Sequence, residues 1–303
     1  MNLLFDSWCS QMLFQQEPPS YPPDVSNGNG APLVTGMRLN TLLGAIKSFG
    51  LSSAAPWNVS FTQPPIDASQ LDGIQVYISL TRYKTPAFAY TSRELSAIQD
   101  WVNNGANVLL MTNHGGFPNT PLDNWTKNDR PLAHLFGVTL EDYSIQDFGS
   151  SGTGRSLLLH VQDTIPYLAN EAPNMMAHDS CLIIPPSSTT FVSVIEFPSD
   201  WTAYDANTGI KPLPPYNFPP PAYPYFSMLV PGTGGAGSLL VIGNSGWVAD
   251  YGSPNPACGL ISSASNLRFA LNCIGYLGGL TRQPLPGQCP SSGNPAPAAD
   301  EAA

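Results

Sequence analysis

Residues 73–116 decide the fold, and they read GIQVYISLTRYKTPAFAYTSRELSAIQDWVNNGANVLLMTNHGG. The segment 73–80 is short, apolar and rich in β-branched residues, which is typical of a buried strand. Thr91 is followed three residues later by Glu94, the spacing of a capping box at the start of a helix. A second apolar strand follows at 107–111. Strand, helix and strand in this order predict a right-handed crossover between two parallel strands.

Similar patterns extend on both sides of this unit and predict an α/β domain. Further strands are predicted at 2–8, 57–61, 156–161, 181–184, 190–197 and 238–242, and further helices at 36–49, 131–137 and 264–277.

Proline and glycine are concentrated in a few stretches. The chain has 303 residues, of which 32 are proline and 27 glycine, and 42% are hydrophobic, enough for a sizeable core. Proline clusters at 17–36 and 211–224, which we expect to be long loops over one edge of the sheet. We predict one domain over 1–283 and a disordered Pro/Ala-rich tail over 284–303.

The charge balance excludes several classes of partner. With 11 Lys+Arg against 21 Asp+Glu, the net charge is −10, which argues against binding to nucleic acid or to an anionic membrane surface. The sequence has no apolar run long enough to span a bilayer. We expect a small-molecule ligand of neutral or weakly polar character, no nucleic acid and no membrane. Whether the chain forms a homo-oligomer is left open.

The cysteines and the N-terminus bear on location and metal binding. The first residues lack the pattern of a signal peptide, so we predict a cytoplasmic protein. The sequons that begin at Asn58 and Asn124 keep secretion open. The 5 cysteines include no C-x-x-C pair, which argues against a zinc site. We expect no metal and no cofactor. The disulfide state of Cys258, Cys273 and Cys289 is left open.

Four motifs in order resemble the class I glutamine amidotransferase-like superfamily, in its trehalose-utilisation-type and uncharacterised branch. They are the strand Leu3–Asp6, the triplet Leu71-Asp72-Gly73, the segment Glu94–Met111, and the strand end Val241–Ser245 with the closing helix 266–272. The resemblance implies a flavodoxin-like three-layer sandwich with a mostly parallel central sheet. Long Pro-rich loops would be added to it here.

The same resemblance bears on catalysis. Catalytic members of the superfamily carry a cysteine in a Gly-x-Cys-x-Gly turn after the strand that matches 107–111. Here that turn is Thr112-Asn113-His114-Gly115-Gly116, and Asn113 or His114 takes the place of the cysteine. Thiolate chemistry and glutamine hydrolysis are therefore not expected.

In open α/β sheets, ligands bind at the carboxyl ends of the strands. The predicted strand ends bring together the following residues: Asp6, Thr81, Arg82, Asn113, His114, Asn244 and Ser245. We expect His114 to be the general acid or base, with Asp6 orienting it. Thr81, Arg82, Asn113, Asn244 and Ser245 are expected to bind substrate.

Each assignment has a structural alternative. His114 could cap its turn, Asp6 could accept backbone N–H groups, and Arg82 could form a surface salt bridge. Asn244 and Ser245 are more often turn formers. A Ser245–His114–Asp6 triad is disfavoured because Gly-x-Ser-x-Gly spacing is missing.

Other candidates are weaker. His178 and Asp179 could join Asp6 and His114 in a metal site, but a loop packed over the sheet is favoured. Cys9 is more readily explained as a buried, inert thiol. The loop 117–130 and the aromatic-proline stretch 216–226 could line a ligand cleft, although a simple covering loop is favoured for the latter.

Two classes of function follow, and a third has support only from composition and the two sequons. The first is an enzyme that uses acid/base catalysis on a small, neutral, carbohydrate-like or amide-like substrate. The alternative is a non-catalytic ligand-binding or assembly module on a degenerate amidotransferase-like fold. A secreted surface protein is the third, and it depends on composition and the two sequons.

Overall fold

The computed structural model describes residues 1–8, 39–52, 56–115, 124–146, 157–177, 179–187, 190–197, 202–205, 225–232, 237–249 and 260–280. The predictions for 17–36, 211–224 and 284–303, and for Cys9, Cys258, Cys289 and His178, lie outside the described residues.

Fourteen strands and six helices are present in these ranges. The helices are α1 (Asn40–Ser52), α2 (Ala68–Leu71), α3 (Ser92–Asn103), α4 (Thr126–His134), α5 (Pro166–Ala169) and α6 (Asn266–Leu277). The strands are β1 (Asn2–Phe5), β2 (Asn58–Phe61), β3 (Val76–Ser79), β4 (Asn107–Met111), β5 (Thr139–Leu140), β6 (Tyr143–Gln146), β7 (Leu157–His160), β8 (Asn174–Ala177), β9 (Asp179–Ser180), β10 (Ile183–Ile184), β11 (Val192–Glu196), β12 (Thr202–Asp205), β13 (Tyr225–Pro231) and β14 (Ser238–Ile242). Short 3₁₀ turns lie at Pro86–Phe88 and Gly246–Val248.

A nine-stranded sheet forms the centre, in the order β2-β1-β3-β4-β14-β13-β10-β5, with β11 also paired to β13. The first five strands of this order are parallel, and the strands beyond β14 are antiparallel. The parallel strands follow the doubly wound order 2-1-3-4-5 that flavodoxin-like sheets have. The predicted α/β fold with a mostly parallel central sheet is confirmed.

Helices cover both faces of the parallel strands. Leu42 of α1 and Phe269 of α6 belong to the core on one face. Leu71 of α2, Ile98 of α3 and Leu132 of α4 belong to the core on the other. The result is a three-layer arrangement, because a parallel sheet must bury both of its surfaces.

Strand β4 shows how the sequence specifies this burial. Leu109 and Met111 face the core on the α1 and α6 side, whereas Val108 and Leu110 face the other core. All four are fully buried. A strand buried on both faces is a continuous apolar run rather than an alternating one, which is the pattern in the sequence.

The capping box of α3 is confirmed. The Glu94 N–H donates to Thr91 Oγ1 at 3.2 Å, and the Thr91 N–H donates to Glu94 Oε2 at 2.8 Å. The helix extends from Ser92 to Asn103, and Gly105 then adopts a φ of 99° in the turn to β4.

The structure differs from the prediction around α4 and β13. The predicted helix 131–137 begins earlier, at Thr126, and Pro131 lies inside it rather than at its first turn. The Thr126 N–H is satisfied by Asn124 Oδ1 at 3.1 Å, a cap that hydrophobic periodicity does not reveal. Strand β13 was not predicted, because the proline-rich region before it obscured its apolar pattern.

A small antiparallel sheet, β12-β6-β9, lies beside the central one, and β7 and β8 form a two-stranded ribbon. None of the helices in the described ranges is long and apolar enough to cross a bilayer.

Candidate functional site at the carboxyl edge of the sheet

Strands β1, β3, β4 and β14 are parallel neighbours, so their carboxyl ends lie along one edge of the sheet. The seven residues predicted for the site all follow these ends: Asp6, Thr81, Arg82, Asn113, His114, Asn244 and Ser245. Asn113 is half-buried, and the other six are buried. Their roles in binding and catalysis stay predictions, but their contacts divide them into three groups.

The first group is a buried ion-pair network around Arg82. The Arg82 Nε–H donates to Asp6 Oδ2 at 2.6 Å, and its Nη2 donates to Glu94 Oε1 at 2.9 Å. All three side chains are fully buried. The Tyr77 and Tyr90 hydroxyls donate to Asp6 Oδ2 at 2.6 Å and 3.2 Å. The Trp8 backbone N–H donates to Asp6 Oδ1 at 3.0 Å.

Electrostatics reinforce this network. Burial alone would lower the pKa of Arg82, but the Asp6 carboxylate raises it above its ordinary value. Burial raises the pKa of Glu94, but the hydrogen bond from Arg82 outweighs it and holds that pKa below its ordinary value. The guanidinium also lies 3.4 Å from the centre of the Tyr90 ring, a cation–π distance.

The salt bridges of Arg82 are therefore internal, and the alternative of a surface salt bridge is wrong. The guanidinium charge is balanced by two carboxylates before any ligand is considered. Sequence analysis found Asp6 and Arg82 but assigned Glu94 only to the helix cap. Its second role requires β1, β3 and α3 to meet, which spacing along the chain does not encode.

The second group surrounds Thr81. This residue has a φ of 57°, in the left-handed region that β-branched residues strongly disfavour. Its hydroxyl donates to Asp129 Oδ2 at 2.5 Å, and the Arg82 N–H donates to Asp129 Oδ1 at 3.0 Å. Burial raises the pKa of Asp129 to about 7. Asp129 belongs to α4 and was not identified from the sequence.

Two more polar groups lie beside Asp129. The Thr112 hydroxyl is buried without a hydrogen-bond partner among the described residues, and its proximity lowers the pKa of Asp129 and of Cys181. Burial raises the pKa of the Cys181 thiol, and the nearby Asp129 carboxylate raises it further. A thiol that stays protonated is a poor nucleophile, so Cys181 does not replace the missing catalytic cysteine.

The third group joins the turns after β4 and β14. The Asn244 Nδ2 donates to Asn113 Oδ1 at 3.4 Å, and the Trp247 N–H donates to Asn244 Oδ1 at 3.2 Å. Beside Asn113, the His114 Nδ1 lies 2.5 Å from the Gly115 carbonyl oxygen. His114 is 8% exposed. This group lines the edge with amide and imidazole side chains.

The orientation of His114 differs from the expected one. Its Nδ1 is held by the Gly115 carbonyl, whereas Asp6, the residue expected to orient it, is bonded to Arg82. Because a carbonyl oxygen can only accept, Nδ1 carries a proton, and in the neutral ring Nε2 holds the lone pair. That tautomer suits a general base.

The turn after β14 contains two buried polar groups without a hydrogen-bond partner among the described residues. They are the Ser245 Oγ and the indole Nε1 of Trp247. The hydrogen bonds of the described chain do not link Ser245, His114 and Asp6 into a triad. Buried polar groups without a partner are costly, and a bound ligand or water would relieve that cost.

An aromatic cluster of Trp8, Tyr83, Phe88 and Trp125 borders the same edge. Successive ring centres are 5.4–5.5 Å apart with edge-to-face geometry. Trp8, Phe88 and Trp125 are half-buried. The Trp125 N–H donates to the His114 carbonyl oxygen at 3.1 Å, which places the cluster beside the third group.

Other predicted or candidate sites have less support. In the ranges that the structure describes, no three His, Cys, Asp or Glu side chains come together as a metal site requires. The sequon residue Asn124 is 3% exposed, and its Nδ2 donates to Asp142. A cleft of about 280 Å³ lies between α4 and β5, but its Arg130 is already bonded to Asp142 and to the Leu140 carbonyl oxygen.

Comparison with known proteins gives structural neighbours only. No known family matches the sequence. No curated protein matches it either. The fold is similar to that of the N-terminal domain of mmIFT52, with a TM-score of 0.57 and 13% identity over 91% of this chain and 97% of that one.

Two bacterial proteins extend this comparison. The cytoplasmic protein STM1381 from Salmonella typhimurium LT2 has a TM-score of 0.51 and 12% identity, covering 91% of this chain and 99% of its own. A ThuA-like protein from Bacteroides uniformis has a TM-score of 0.46 and 10% identity, covering 91% of this chain and 90% of its own. At these identities the first two matches support the fold alone.

Proposed function

We propose that this chain binds a small, neutral, polar molecule at the carboxyl edge of its central sheet. Asn113, His114 and Asn244 would contact the ligand. The observation that carries the proposal is the meeting of Asn113 and Asn244, 3.4 Å apart, from the turns that follow two adjacent parallel strands. This is where open α/β sheets bind ligands.

The solvent exposure of these side chains supports a ligand site at the same edge. Asn113 is half-buried, whereas its neighbours Asn244 and His114 are 3% and 8% exposed. A primary amide offers two donors and an acceptor, so the Asn113 side chain can reach outward while the buried residues fix its position. The unpartnered Ser245 Oγ lies on the same turn as Asn244 and could add a further hydrogen bond.

The charges favour a neutral ligand. The guanidinium of Arg82 is engaged by Asp6 and Glu94, so it does not provide a free cation for a phosphate or carboxylate. The whole chain carries a net charge of −10, which repels anions. The aromatic cluster beside His114 adds apolar ring surface, which suits a compact molecule with both polar and apolar faces.

This proposal includes the finer family assignment. The chain would be a member of the class I glutamine amidotransferase-like superfamily, trehalose-utilisation-type branch, that keeps the ligand edge without the nucleophile. The turn after β4 contains Asn113 and His114 where catalytic members have cysteine.

Acid/base catalysis is the second candidate function, and the orientation of His114 favours it. The contact of 2.5 Å from Nδ1 to the Gly115 carbonyl oxygen leaves the basic lone pair on Nε2 in the neutral ring. The Ser144 hydroxyl donates to the same carbonyl oxygen at 2.8 Å and fixes its position. In this version His114 would move a proton on the ligand that the asparagines hold.

Thermal-shift measurements with glucose, glycerol and acetamide, against acetate and phosphate, test the binding function. We expect a neutral compound to raise the melting temperature in a concentration-dependent way, because it binds only the folded state. Asn113→Ala should raise the Kd derived from that concentration dependence at least about tenfold, the loss expected for one good hydrogen bond of about 1.4 kcal/mol.

Asn103→Ala is the matched control, since Asn103 is an exposed asparagine at the end of α3, away from the carboxyl edge. No stabilisation by any neutral compound, or equal binding by Asn113→Ala, would contradict the proposal. The enzyme version additionally requires product formation from the bound compound that His114→Gln abolishes while binding is retained.

A further inference from the structure

We propose that Asp129 is a proton-binding site that controls the turn after β3: its ionised carboxylate holds Thr81 in the left-handed conformation, and proton uptake loosens that hold. This inference goes beyond the proposed ligand binding, because it can be tested on the protein alone.

The first step is the backbone of Thr81. At a φ of 57° this β-branched residue is a genuine outlier, and such strain persists only where the surroundings impose it. Asp129 supplies that restraint with both of its oxygens. Oδ2 accepts from the Thr81 hydroxyl at 2.5 Å, and Oδ1 accepts from the Arg82 N–H at 3.0 Å. One carboxyl group therefore ties two consecutive residues of the turn.

The second step is the proton count. Both contacts come from donors, and an ionised carboxylate, which only accepts, satisfies both. A proton on Oδ1 would face the Arg82 N–H, placing donor against donor. A proton on Oδ2 would oblige Thr81 Oγ1 to accept, and the Thr81 hydroxyl proton would then need a different acceptor. Protonation of Asp129 thus breaks or reverses one of the two restraints.

The third step is the set of charges around Asp129. The guanidinium of Arg82, from the end of β3, lowers the pKa of Asp129 but forms its ion pairs with Asp6 and Glu94. Burial raises the pKa of Tyr90 and of Cys181, and the Asp129 carboxylate raises both further, so both groups stay neutral. Within the described chain, no cation forms an ion pair with Asp129.

Burial then decides the balance between the two protonation states. Asp129 is fully buried, and burial raises its pKa from 3.8 to about 7 despite the hydrogen bonds from Thr81 and Arg82. Both forms are consequently populated near neutral pH. The turn that would loosen carries Thr81 and Arg82, and Arg82 in turn holds Asp6 at the end of β1.

NMR titration of the whole protein tests this directly. We expect the Asp129 Cγ and the amide signals of Thr81 and Arg82 to titrate together, with a midpoint at about pH 7. In Asp129→Asn, which imitates the neutral carboxyl, the Thr81 and Arg82 signals should no longer titrate at that pH. His114→Gln is the control for a nearby imidazole, and the titration should persist in it.

A midpoint below about pH 5 for Asp129 would overturn the proposal, as would Thr81 and Arg82 signals that do not follow Asp129. Should Asp129→Asn fail to fold, Thr81→Val provides the second test, because valine keeps the β-branched shape. The Thr81 hydroxyl donates to Asp129 Oδ2 and lowers the pKa of Asp129, so its removal should move the midpoint upward. An unchanged midpoint in Thr81→Val would contradict the proposed restraint.

Denaturant unfolding tests the direction of the pKa shift of Asp129 independently. The pKa of Asp129 is higher in the folded chain than its ordinary value of 3.8, so the folded state binds the proton more tightly. We compare the free energy of unfolding of wild type with that of Asp129→Asn. Wild type should have its greatest advantage at acid pH, and this advantage should fall as the pH rises from about 4 to about 7. A difference that stays constant over this range would contradict the proposal.

Discussion

Several residues at the carboxyl edge form buried ion pairs that hold neighbouring elements together. Arg82 is fully buried between Asp6 at the end of β1 and Glu94 in the first turn of α3. One ion pair therefore joins β1 to the turn after β3, and the other joins α3 to the same turn. Buried ion pairs are costly to assemble, but removing one member leaves the others without compensation and is more costly still.

Arg82→Met should be strongly destabilising, because it removes the positive charge. Methionine is chosen since its long side chain limits the loss of packing. Asp6 and Glu94 would then be two buried carboxylates without their cation. We expect a loss of about 3–5 kcal/mol in the free energy of unfolding, measured with urea at neutral pH.

Arg93→Met is the matched control for this substitution. Arg93 is an exposed arginine in the first turn of α3, and its replacement should change stability by no more than about 0.5 kcal/mol. A loss below about 1 kcal/mol for Arg82→Met would show that the network contributes little to the fold.

Pairs of elements depend on close backbone approach as well as on side chains. Gly237, just before β14, packs against the end of α3 and the turn that follows it. A Cβ at Gly237 would lie 2.0 Å from the Ala106 carbonyl oxygen and 2.7 Å from that of Val102. Glycine is required here because the obstructing atoms belong to the backbone and cannot rotate away.

Gly237→Ala should therefore force β14 away from α3. We expect a loss of about 1–3 kcal/mol, measured as a lower midpoint of chemical unfolding. Gly44→Ala is the matched control, because Gly44 is exposed within α1 and has no atom within 4 Å of the added Cβ. That substitution should stabilise the chain by up to about 1 kcal/mol, since alanine favours a helix. Equal effects of the two substitutions would contradict the packing argument.

The molecule as a whole combines an ordinary α/β core with an excess of acidic over basic residues. Its five parallel strands are covered by helices on both faces, and the antiparallel strands from β13 onward extend one side of the sheet. The net charge of −10 belongs to this scale, because it acts on any partner through the summed field rather than through one residue.

At the scale of the molecule we expect no binding to nucleic acid. Fluorescence polarisation of a labelled single-stranded DNA should stay unchanged up to protein concentrations of about 100 μM, where non-specific binders are already half saturated or more. Adding poly-lysine to the same labelled DNA is the positive control, because a bound polycation should raise the polarisation. Salt-sensitive binding to the untreated probe would contradict the expectation.

The sequence by itself determined the parallel strands of the central sheet and the helices α1, α3 and α6, whereas strand β13 and the start of α4 were not predicted. Apolar runs such as 107–111 mark strands buried on both faces, and the spacing of Thr91 and Glu94 marks the start of a helix. These signals are local, since each depends on residues within one or two turns of chain. They sufficed to predict the α/β fold and to bring Asp6, Thr81 and Arg82 to the carboxyl edge.

Only the tertiary structure decided what those residues contact. Arg82 turns inward to Asp6 and Glu94, the Gly115 carbonyl rather than Asp6 holds His114, and Asp129 from α4 restrains Thr81. Each partner lies on a different element or in a turn whose backbone direction is set by packing. Hydrophobic periodicity specifies which face of an element is buried, but a buried polar group is satisfied by whichever donor or acceptor the packed elements bring within about 3 Å of it.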